Sequence, residues 1–172
     1  FTVANRLRRS GNGYLKRIAG GLNASAAGHP YLLLTDLDMW PCAAKLRDTI
    51  LMSKPLHSNF LFRVAVRTIE SWLLADVRMT TKLLGLPEAL TPSQPDALSK
   101  PKLELVNLAR RSRRQVRKDL VPQAGSTAVQ GRNYNAPLVA FVRETWEPTR
   151  AAERSPSLSR CLVRLNEWRP TV

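Results

Sequence analysis

The sequence predicts an α/β fold, in which a parallel sheet is followed by a C-terminal helical extension. Two short apolar runs, at residues 31–34 and 59–66, are typical of strands that are covered on both faces. Segments with helical apolar spacing follow both runs, and this alternation favours a right-handed parallel sheet. Beyond residue 85 the patterns are helical only. We therefore expect a sheet-forming core at residues 1–84 and a basic, helical extension at residues 85–172.

The elements of the core follow in chain order from the spacing of its apolar residues. A short strand is predicted first, then a helix from about Tyr14 that ends before the Gly28, His29 and Pro30 sequence. After the second strand, Pro41 suits the first turn of a helix because its missing N–H needs no partner there. A third strand leads directly into another helix. The predicted segments are residues 1–4, 14–27, 31–34, 41–52, 59–66 and 67–77.

The predicted extension begins with a loop and continues as helices. Residues 85–102 contain four prolines, which is typical of a loop. Helical spacing returns at residues 103–120, 137–146 and 156–168. We expect these helices to pack on the core, because most helices depend on burying an apolar face. The polar segment 123–135 is either a structural loop or a phosphate-binding loop, although it lacks the Lys-Ser/Thr ending of a P-loop.

The charge of the chain predicts an anionic partner. There are 27 Lys and Arg residues against 13 Asp and Glu, and the formal net charge is +14. Domains this basic usually bind polyanions, and nucleic acid is expected ahead of a membrane surface. No apolar run approaches the ~20 residues of a membrane span and no leader-like segment opens the chain, so we expect a cytoplasmic protein without membrane attachment. Cys42 and Cys161 lack the number and spacing of a disulfide framework or a zinc site.

Two aspartates follow the second predicted strand in the sequence TDLD. Residues two apart on an extended chain point the same way, so the carboxylates of Asp36 and Asp38 should lie close together. Two such anions repel each other strongly unless a cation bridges them or one of them is protonated. Paired carboxylates suit Mg²⁺ or Mn²⁺. The alternative is that Asp36 caps the following turn and Asp38 caps the helix at Pro41.

Glu70 extends this candidate metal site. It lies in the first turn of the helix after the next strand, and chemistry in parallel sheets collects at that edge. Its alternative role is to complement the positive end of the helix dipole. Arg67 would either contact a substrate phosphate or pair with Glu70, and Asp76 is expected at a helix end or on the surface. The predicted catalytic and metal-binding residues are Asp36, Asp38 and Glu70.

The segment LARRSRRQVRK, residues 108–118, is the strongest basic feature. On one continuous helix, four of its arginines would share a side at spacings of three and four residues. That side could follow a phosphate backbone, and the alternative is a solvated run of charges. The predicted nucleic-acid-binding residues are Arg67, Arg110, Arg113, Arg114, Arg117 and Lys118.

Sequence blocks spread over almost the whole chain carry a family resemblance. The blocks GNGYLKR, LLLTDLDMWPC, FRVAVRTIESWLLAD, LARRSRR and the GST segment followed by YNAPLVAFV resemble the bacterial DUF4276 family. That family is regarded as TOPRIM-like, which means related to the metal-binding fold of topoisomerases, primases and OLD-type nucleases. The resemblance implies a TOPRIM-like Rossmannoid sheet. In that fold, Asp36 and Asp38 match the DxD motif, and Glu70 matches an acid of a second metal site.

The amino end departs from the TOPRIM pattern. A TOPRIM site also has a glutamate after its first strand, and no Glu precedes Lys16 here. Relatives of this kind are longer at the amino end by a strand and a helix. We expect either that this piece lies upstream, which would leave a catalytic site intact, or that a catalytic acid has been lost.

The resemblance implies a Mg²⁺-dependent nuclease subunit of a bacterial defence system. DNA is favoured over RNA as its substrate, and an ATPase is the expected partner. The main alternative is a non-catalytic nucleic-acid-binding or assembly subunit that retains the fold. An RNA-directed enzyme, such as a toxin or a maturase, is a third hypothesis.

Overall fold

The computed structural model describes residues 12–171, with the side chains of all of them except Asn12 and Leu15. This part of the chain is a mixed α/β structure, in which the strands β1 (Tyr31–Asp36) and β2 (Phe60–Ala65) form a two-stranded parallel sheet. The prediction of an α/β fold is confirmed at this level. Within the same residues there are nine α-helices: α1 (Asn12–Ser25), α2 (Ala43–Ile50), α3 (Ile69–Ala75), α4 (Val77–Leu84), α5 (Pro101–Arg111), α6 (Val116–Leu120), α7 (Asn135–Glu144), α8 (Pro148–Ala152) and α9 (Pro156–Glu167).

The described chain divides into two compact units. The first contains the residues up to Val64 together with those from Glu167 onward, and the second is Ala65–Asn166. The second unit is continuous in sequence, whereas the first is built from two separated segments. The predicted boundary between residues 84 and 85 falls inside the second unit, directly after α4.

The first unit buries a small apolar core between its strands and helices. In β1 the burial alternates, because Leu33 is buried while Leu32 and Leu34 are exposed. The prediction that both faces of this strand are covered is therefore wrong for the described structure. β2 is more deeply buried, and its first three residues are all inside. The buried members of this core are Ala19, Ala26, Leu33, Leu51, Phe60 and Phe62.

The C-terminal segment closes the first unit. The side-chain amide N–H of Asn59 donates to the carbonyl oxygen of Thr171 at 2.5 Å, and the Asn59 side-chain oxygen accepts from the backbone N–H of Thr171 at 2.9 Å. The indole N–H of Trp168 donates to the carbonyl oxygen of Ser58 at 2.9 Å. These bonds join the residues just before β2 to the last residues of the described chain.

Helix α3 is the buried centre of the second unit. Six of its seven residues are inside, from Glu70 to Ala75. Leu73 and Leu74 pack into a core formed with α4, α5, α6 and α7. Trp72 and Ala75 pack into a second core with α8 and α9. A helix that is apolar on nearly all sides can be stable only when it is covered on all sides.

Several predicted helices agree with the structure, and α2 does not begin as expected. Helices α1, α7 and α9 confirm the predictions for residues 14–27, 137–146 and 156–168 to within a few residues. Pro41 is not in the first turn of α2, because the cap is Cys42, whose Sγ accepts from the backbone N–H of Lys45 at 3.4 Å. The alternative in which Asp38 caps this helix is wrong for the same reason.

Two predicted single helices are each two helices. The helix expected at residues 67–77 is interrupted at Asp76, where α3 ends and α4 begins. The helix expected at residues 103–120 breaks between Arg111 and Val116. The continuous arginine face predicted for the basic segment is therefore wrong.

Some predicted segments and some observed helices have no counterpart. The strand predicted at residues 1–4 lies outside the described residues. The proline-rich loop contains two 3-10 helices that were not predicted, Glu88–Leu90 and Pro95–Ala97, and α8 was not predicted either. Across residues 12–171, none of the helices has the length and apolar character needed to cross a membrane.

Candidate nucleic-acid interface

The two aspartates of TDLD lie at the end of β1 in the first unit. Asp36 is the last residue of the strand and is half-buried. Asp38 follows in a left-handed backbone conformation with φ of 53°. The Nζ atom of Lys16, on α1, lies 3.0 Å from Oδ2 of Asp38. Part of the negative charge at this strand end is therefore balanced by a lysine from the same unit.

These residues fit a magnesium site only in part. Mg²⁺ commonly takes one or two protein carboxylates, and water and phosphate oxygens complete its shell. Asp36 and Asp38 supply two carboxylates near one strand end, but Asp38 lies beyond the strand and is not extended, so the side-chain alternation that predicted a close pair does not apply to it. A bound cation would also compete with the Lys16 ammonium for Asp38. In the part of the chain that the structure describes, no group of three or more His, Cys, Asp or Glu side chains is placed to hold a metal ion. The metal site therefore stays a prediction.

Glu70 lies in the second unit, where it is held by a cluster of polar side chains. The residue as a whole is 3% exposed. The hydroxyl of Thr68 donates to Oε2 at 2.5 Å, and the hydroxyl of Tyr134 donates to Oε1 at 3.1 Å. The ammonium of Lys102 lies 3.4 Å from Oε1. Both oxygens of Glu70 thus have partners within its own unit, so any metal ion bound there would have to replace some of them.

Tyr134 connects the members of this cluster. Its burial, together with the negative charge of Glu70 and their hydrogen bond, raises the pKa of the Tyr134 phenol far above its ordinary value of 10.0. The Lys102 ammonium lies 5.5 Å from the centre of the Tyr134 ring, within reach of a cation–π interaction. The Tyr134 hydroxyl therefore stays protonated and keeps donating to Glu70.

Asp76 has a structural role at the junction of α3 and α4. It is fully buried, and its two oxygens accept from the Nε and Nη2 atoms of Arg150, both at 2.7 Å. It also accepts from the backbone N–H groups of Met79 and Glu147, at 3.3 and 2.9 Å. Asp76 was predicted at a helix end or on the surface. The helix-end position is confirmed, and the surface position is wrong.

The basic segment forms one side of a cavity in the second unit. The cavity has a volume of about 600 Å³. Four of the predicted nucleic-acid-binding residues line it, and none of the described residues in its lining is acidic. The lining consists of Ser112, Arg113, Arg114, Gln115, Arg117, Lys118, Val121, Pro122 and Gln123.

Hydrogen bonds and close packing hold this segment against the end of α4. The hydroxyl of Ser112 donates to the carbonyl oxygen of Leu84 at 2.5 Å and accepts from the backbone N–H of Arg114 at 3.0 Å. Gly85 ends α4 with a φ of +64°, a conformation that favours glycine. A Cβ atom on Gly85 would lie 2.6 Å from Nε of Arg114. The missing side chain of Gly85 therefore leaves the space in which Arg114 lies.

The other predicted phosphate-binding residues lie outside the cavity lining. The guanidinium of Arg110 donates to the side-chain oxygen of Asn107 at 2.7 Å, one turn earlier on α5. Arg67 is half-buried in the turn between β2 and α3. The structure thus brings together Arg113, Arg114, Arg117 and Lys118, but not all six of the predicted residues.

Some residues around these groups could not be found from sequence spacing. Tyr134 is 64 positions from Glu70 along the chain, and no local pattern connects them. Lys102 lies at the start of α5, in a segment that was predicted to be a loop. The Gly85 position had a local signal, because a glycine that follows a helical pattern is typical of a left-handed helix cap.

Comparisons with known proteins do not identify a family. No family model matches this chain, and no curated protein or solved structure matches it. The resemblance to DUF4276 and its TOPRIM-like fold therefore remains a prediction from the sequence blocks.

Proposed function

We propose that this protein binds nucleic acid, and that the basic segment of residues 110–118 makes the phosphate contacts. The observation that carries the proposal is the grouping of Arg113, Arg114, Arg117 and Lys118 around one cavity. The side chains of these four residues are exposed, so phosphate groups can approach them from solvent. Arginine and lysine that neutralise phosphates also release condensed counterions, which supplies much of the affinity for nucleic acid.

The net charge of the chain supports the same proposal. At +14, the protein attracts a polyanion from a distance, and the basic segment provides a place for close contact. Phosphate contacts of this kind position a nucleic acid without selecting its sequence. The expected behaviour is binding that depends strongly on salt and weakly on base sequence.

A binding experiment with matched charge removal tests this proposal. The double substitution Arg113→Gln and Arg117→Gln should weaken binding of a short fluorescent oligonucleotide by about tenfold in fluorescence anisotropy, because two phosphate contacts are lost. The control is Arg160→Gln with Arg164→Gln, which removes the same two charges from α9. Equal losses for the two double variants would show that overall charge, and not the basic segment, governs binding.

A second candidate function is hydrolysis of phosphodiester bonds by a TOPRIM-like, Mg²⁺-dependent nuclease, with DNA as the first substrate to test. It is supported by Asp36 at the carboxyl end of a parallel strand and by Asp38 directly beyond it. Asp36 and Asp38 would hold the ion. A bound Mg²⁺ would polarise the phosphate and activate water. An ATPase partner is part of this proposal, by analogy with the family that the sequence resembles.

Cleavage assays separate the two candidates. If the second holds, DNA incubated with MgCl₂ should be cut, and Asp36→Asn should abolish the cutting while leaving binding intact. Asp48→Asn is the control, because Asp48 is another carboxylate of the first unit and pairs with Arg47 at 2.7 Å. Cutting that survives Asp36→Asn would eliminate the metal role of Asp36. Binding without any cutting would leave the first candidate alone.

A further inference from the structure

The cavity beside the basic segment has the size of a ligand site. Its volume of about 600 Å³ lies within the range of ~300–1,000 Å³ that is usual for small-molecule pockets. All its lining residues come from one stretch of the second unit, residues 112–123. A flat basic surface would serve any polyanion, whereas a concave one admits a group that projects into it.

The lining combines three kinds of chemistry. Arg113, Arg117 and their neighbours supply positive charge. Val121 and Pro122 supply apolar surface, and Gln115 and Gln123 carry amides that can donate and accept hydrogen bonds. Phosphate oxygens match the cations, and the face and edge of a base match the apolar and amide groups. A nucleotide carries all of these features in one unit.

The walls of the cavity are built by the fold of the second unit. The buried Ser112 side chain holds the segment on the last turn of α4, and Arg114 lies over Gly85. The other end of the lining is also held, because the backbone N–H of Gly131 donates to the carbonyl oxygen of Leu120 at 2.9 Å. Restraints at both ends lower the entropy cost of forming a binding site, because the site is preorganised.

We propose that this cavity receives one phosphate-bearing nucleotide of a single strand, so that the protein prefers single-stranded nucleic acid to duplex. The inference rests on the proposed function and specifies its substrate class. In a duplex, every nucleotide is stacked and paired, and it can enter a cavity only after it leaves the stack. A single strand does not have to break base pairs for this, and its flexible backbone can bring a phosphate to the arginines.

The main test compares one strand with its duplex. Binding of a fluorescent single-stranded oligonucleotide and of the blunt duplex of the same length is measured at one salt concentration. The single strand should bind at least about tenfold more tightly, because the duplex must unstack a nucleotide. Equal affinities, or tighter binding of the duplex, would overturn the inference and leave the proposed function standing. Failure of both ligands to bind would overturn both.

Single substitutions locate the effect at the cavity. Arg117→Gln should reduce the preference for the single strand. The control Arg110→Gln should weaken the binding of the single strand and of the duplex equally, because Arg110 belongs to the same segment but does not line the cavity. Both side chains are exposed, so both variants should fold, and thermal unfolding checks this. A preference unchanged by Arg117→Gln would contradict the assignment.

Competition identifies what the cavity recognises. A nucleoside monophosphate should displace the single strand at concentrations where inorganic phosphate does not, because only the nucleotide contacts the apolar and amide groups. Equal displacement by both competitors would reduce the site to a phosphate site and overturn nucleotide recognition. Displacement by the mononucleotide also shows that a free nucleotide is accepted, whereas the strand-to-duplex comparison reports on nucleic acid.

Discussion

Gly131 lies where the backbone of its loop packs closely against the backbone of Asp119, so there is no room for a side chain. A Cβ atom there would lie 2.1 Å from the carbonyl oxygen of Asp119, which is a backbone atom and cannot turn aside. In the sequence, this glycine belongs to the polar segment 123–135, which was predicted to be either a structural loop or a phosphate-binding loop. It did not show the close approach to Asp119, because that contact joins two segments whose packing is set by the fold.

Replacing Gly131 should therefore destabilise the protein. Gly131→Ala forces backbone movement, and we expect a loss of about 1–3 kcal/mol in the free energy of unfolding, measured by urea denaturation. The matched control is Gly21→Ala in α1, where no atom lies within 4 Å of an added Cβ. The free energy of unfolding of that variant should rise by up to about 1 kcal/mol, because alanine is more favourable than glycine in a helix interior. If both variants changed stability in the same direction, the steric explanation would fail.

Tyr134 gives a prediction about alkaline stability. Tyr134→Phe removes a hydrogen bond to the buried carboxylate of Glu70 and should cost about 1.5–3 kcal/mol at neutral pH. Because burial and Glu70 raise the pKa of the folded Tyr134, this tyrosine binds its proton more tightly when the protein is folded. Its stabilisation is complete below the unfolded pKa near 10.0 and declines as the pH rises above it.

Urea unfolding of Tyr134→Phe and of the unchanged protein at pH 7 and at about pH 11 measures this effect. The difference between the two proteins should shrink at the higher pH. Tyr31→Phe is the control, since it removes the hydroxyl of a half-buried tyrosine at the start of β1, in the first unit. A difference that stays constant with pH would show that Tyr134 titrates alike in the folded and unfolded chains.

Among the elements, the two interrupted helices show what apolar spacing leaves out. Residues 67–77 and 103–120 each have a helical pattern across the break, so spacing alone predicts one helix. The breaks come from polar side chains that bond to the backbone: Asp76 caps α4, and Ser112 bonds to the carbonyl oxygen of Leu84. Ser and Asp are known to compete with the helix in this way. Asp76 also accepts from Arg150 and from the backbone of Glu147, and Ser112 donates to Leu84. Because these further partners are distant in sequence, the sequence did not reveal which residue would end each helix.

The Asp76 junction should control stability in acid. Burial alone would raise the pKa of the Asp76 carboxyl, but hydrogen bonds from Arg150 and from the backbone of Glu147 and Met79 outweigh it and lower the pKa below 3.8. A depressed carboxyl pKa stabilises the folded state above the unfolded pKa, and this stabilisation is lost as the pH falls through the folded value. The loss should begin below about pH 4.

Asp76→Asn tests this through the pH dependence of thermal unfolding. At neutral pH the variant should be less stable by about 1–3 kcal/mol. The amide nitrogen of asparagine cannot accept the hydrogen bonds that one oxygen of Asp76 accepts from Arg150 and from the backbone. Below pH 4 the gap to the unchanged protein should close. The control is Glu144→Gln, at an exposed carboxylate at the end of α7. It should leave the stability nearly unchanged both at neutral pH and below pH 4. A gap that persists in strong acid would mean that the charge of Asp76 contributes little.

For the whole molecule, charge and element order could be predicted, and the packing of distant segments could not. The α/β class and most helices follow from apolar spacing, which is a local property. The grouping of basic residues also followed from the sequence, although their support on a continuous helix did not. The cluster of Glu70, Lys102 and Tyr134 depends on three segments that meet only after folding. No local pattern predicts such a meeting.

The salt dependence of binding is a property of the whole molecule. The logarithm of the binding constant for single-stranded DNA should fall linearly with the logarithm of salt concentration. Each phosphate contact adds about 0.7 to the steepness of that line, so Arg117→Gln should make it shallower by about 0.7. The exposed Arg143, on α7, provides the control, because Arg143→Gln should leave the slope unchanged. A slope near zero for the unchanged protein would contradict binding through phosphates.

The return of the chain from Glu167 to Asn59 also has a consequence for the order of synthesis. The contacts of Asn59 with Thr171 and of Ser58 with Trp168 can form only after translation has passed residue 171. Residues 65–166 leave the ribosome earlier and contain their own apolar cores. The middle of the chain can thus begin to fold on the ribosome before residues 167–171 emerge, whereas the first unit, which contains TDLD, is closed only when they do.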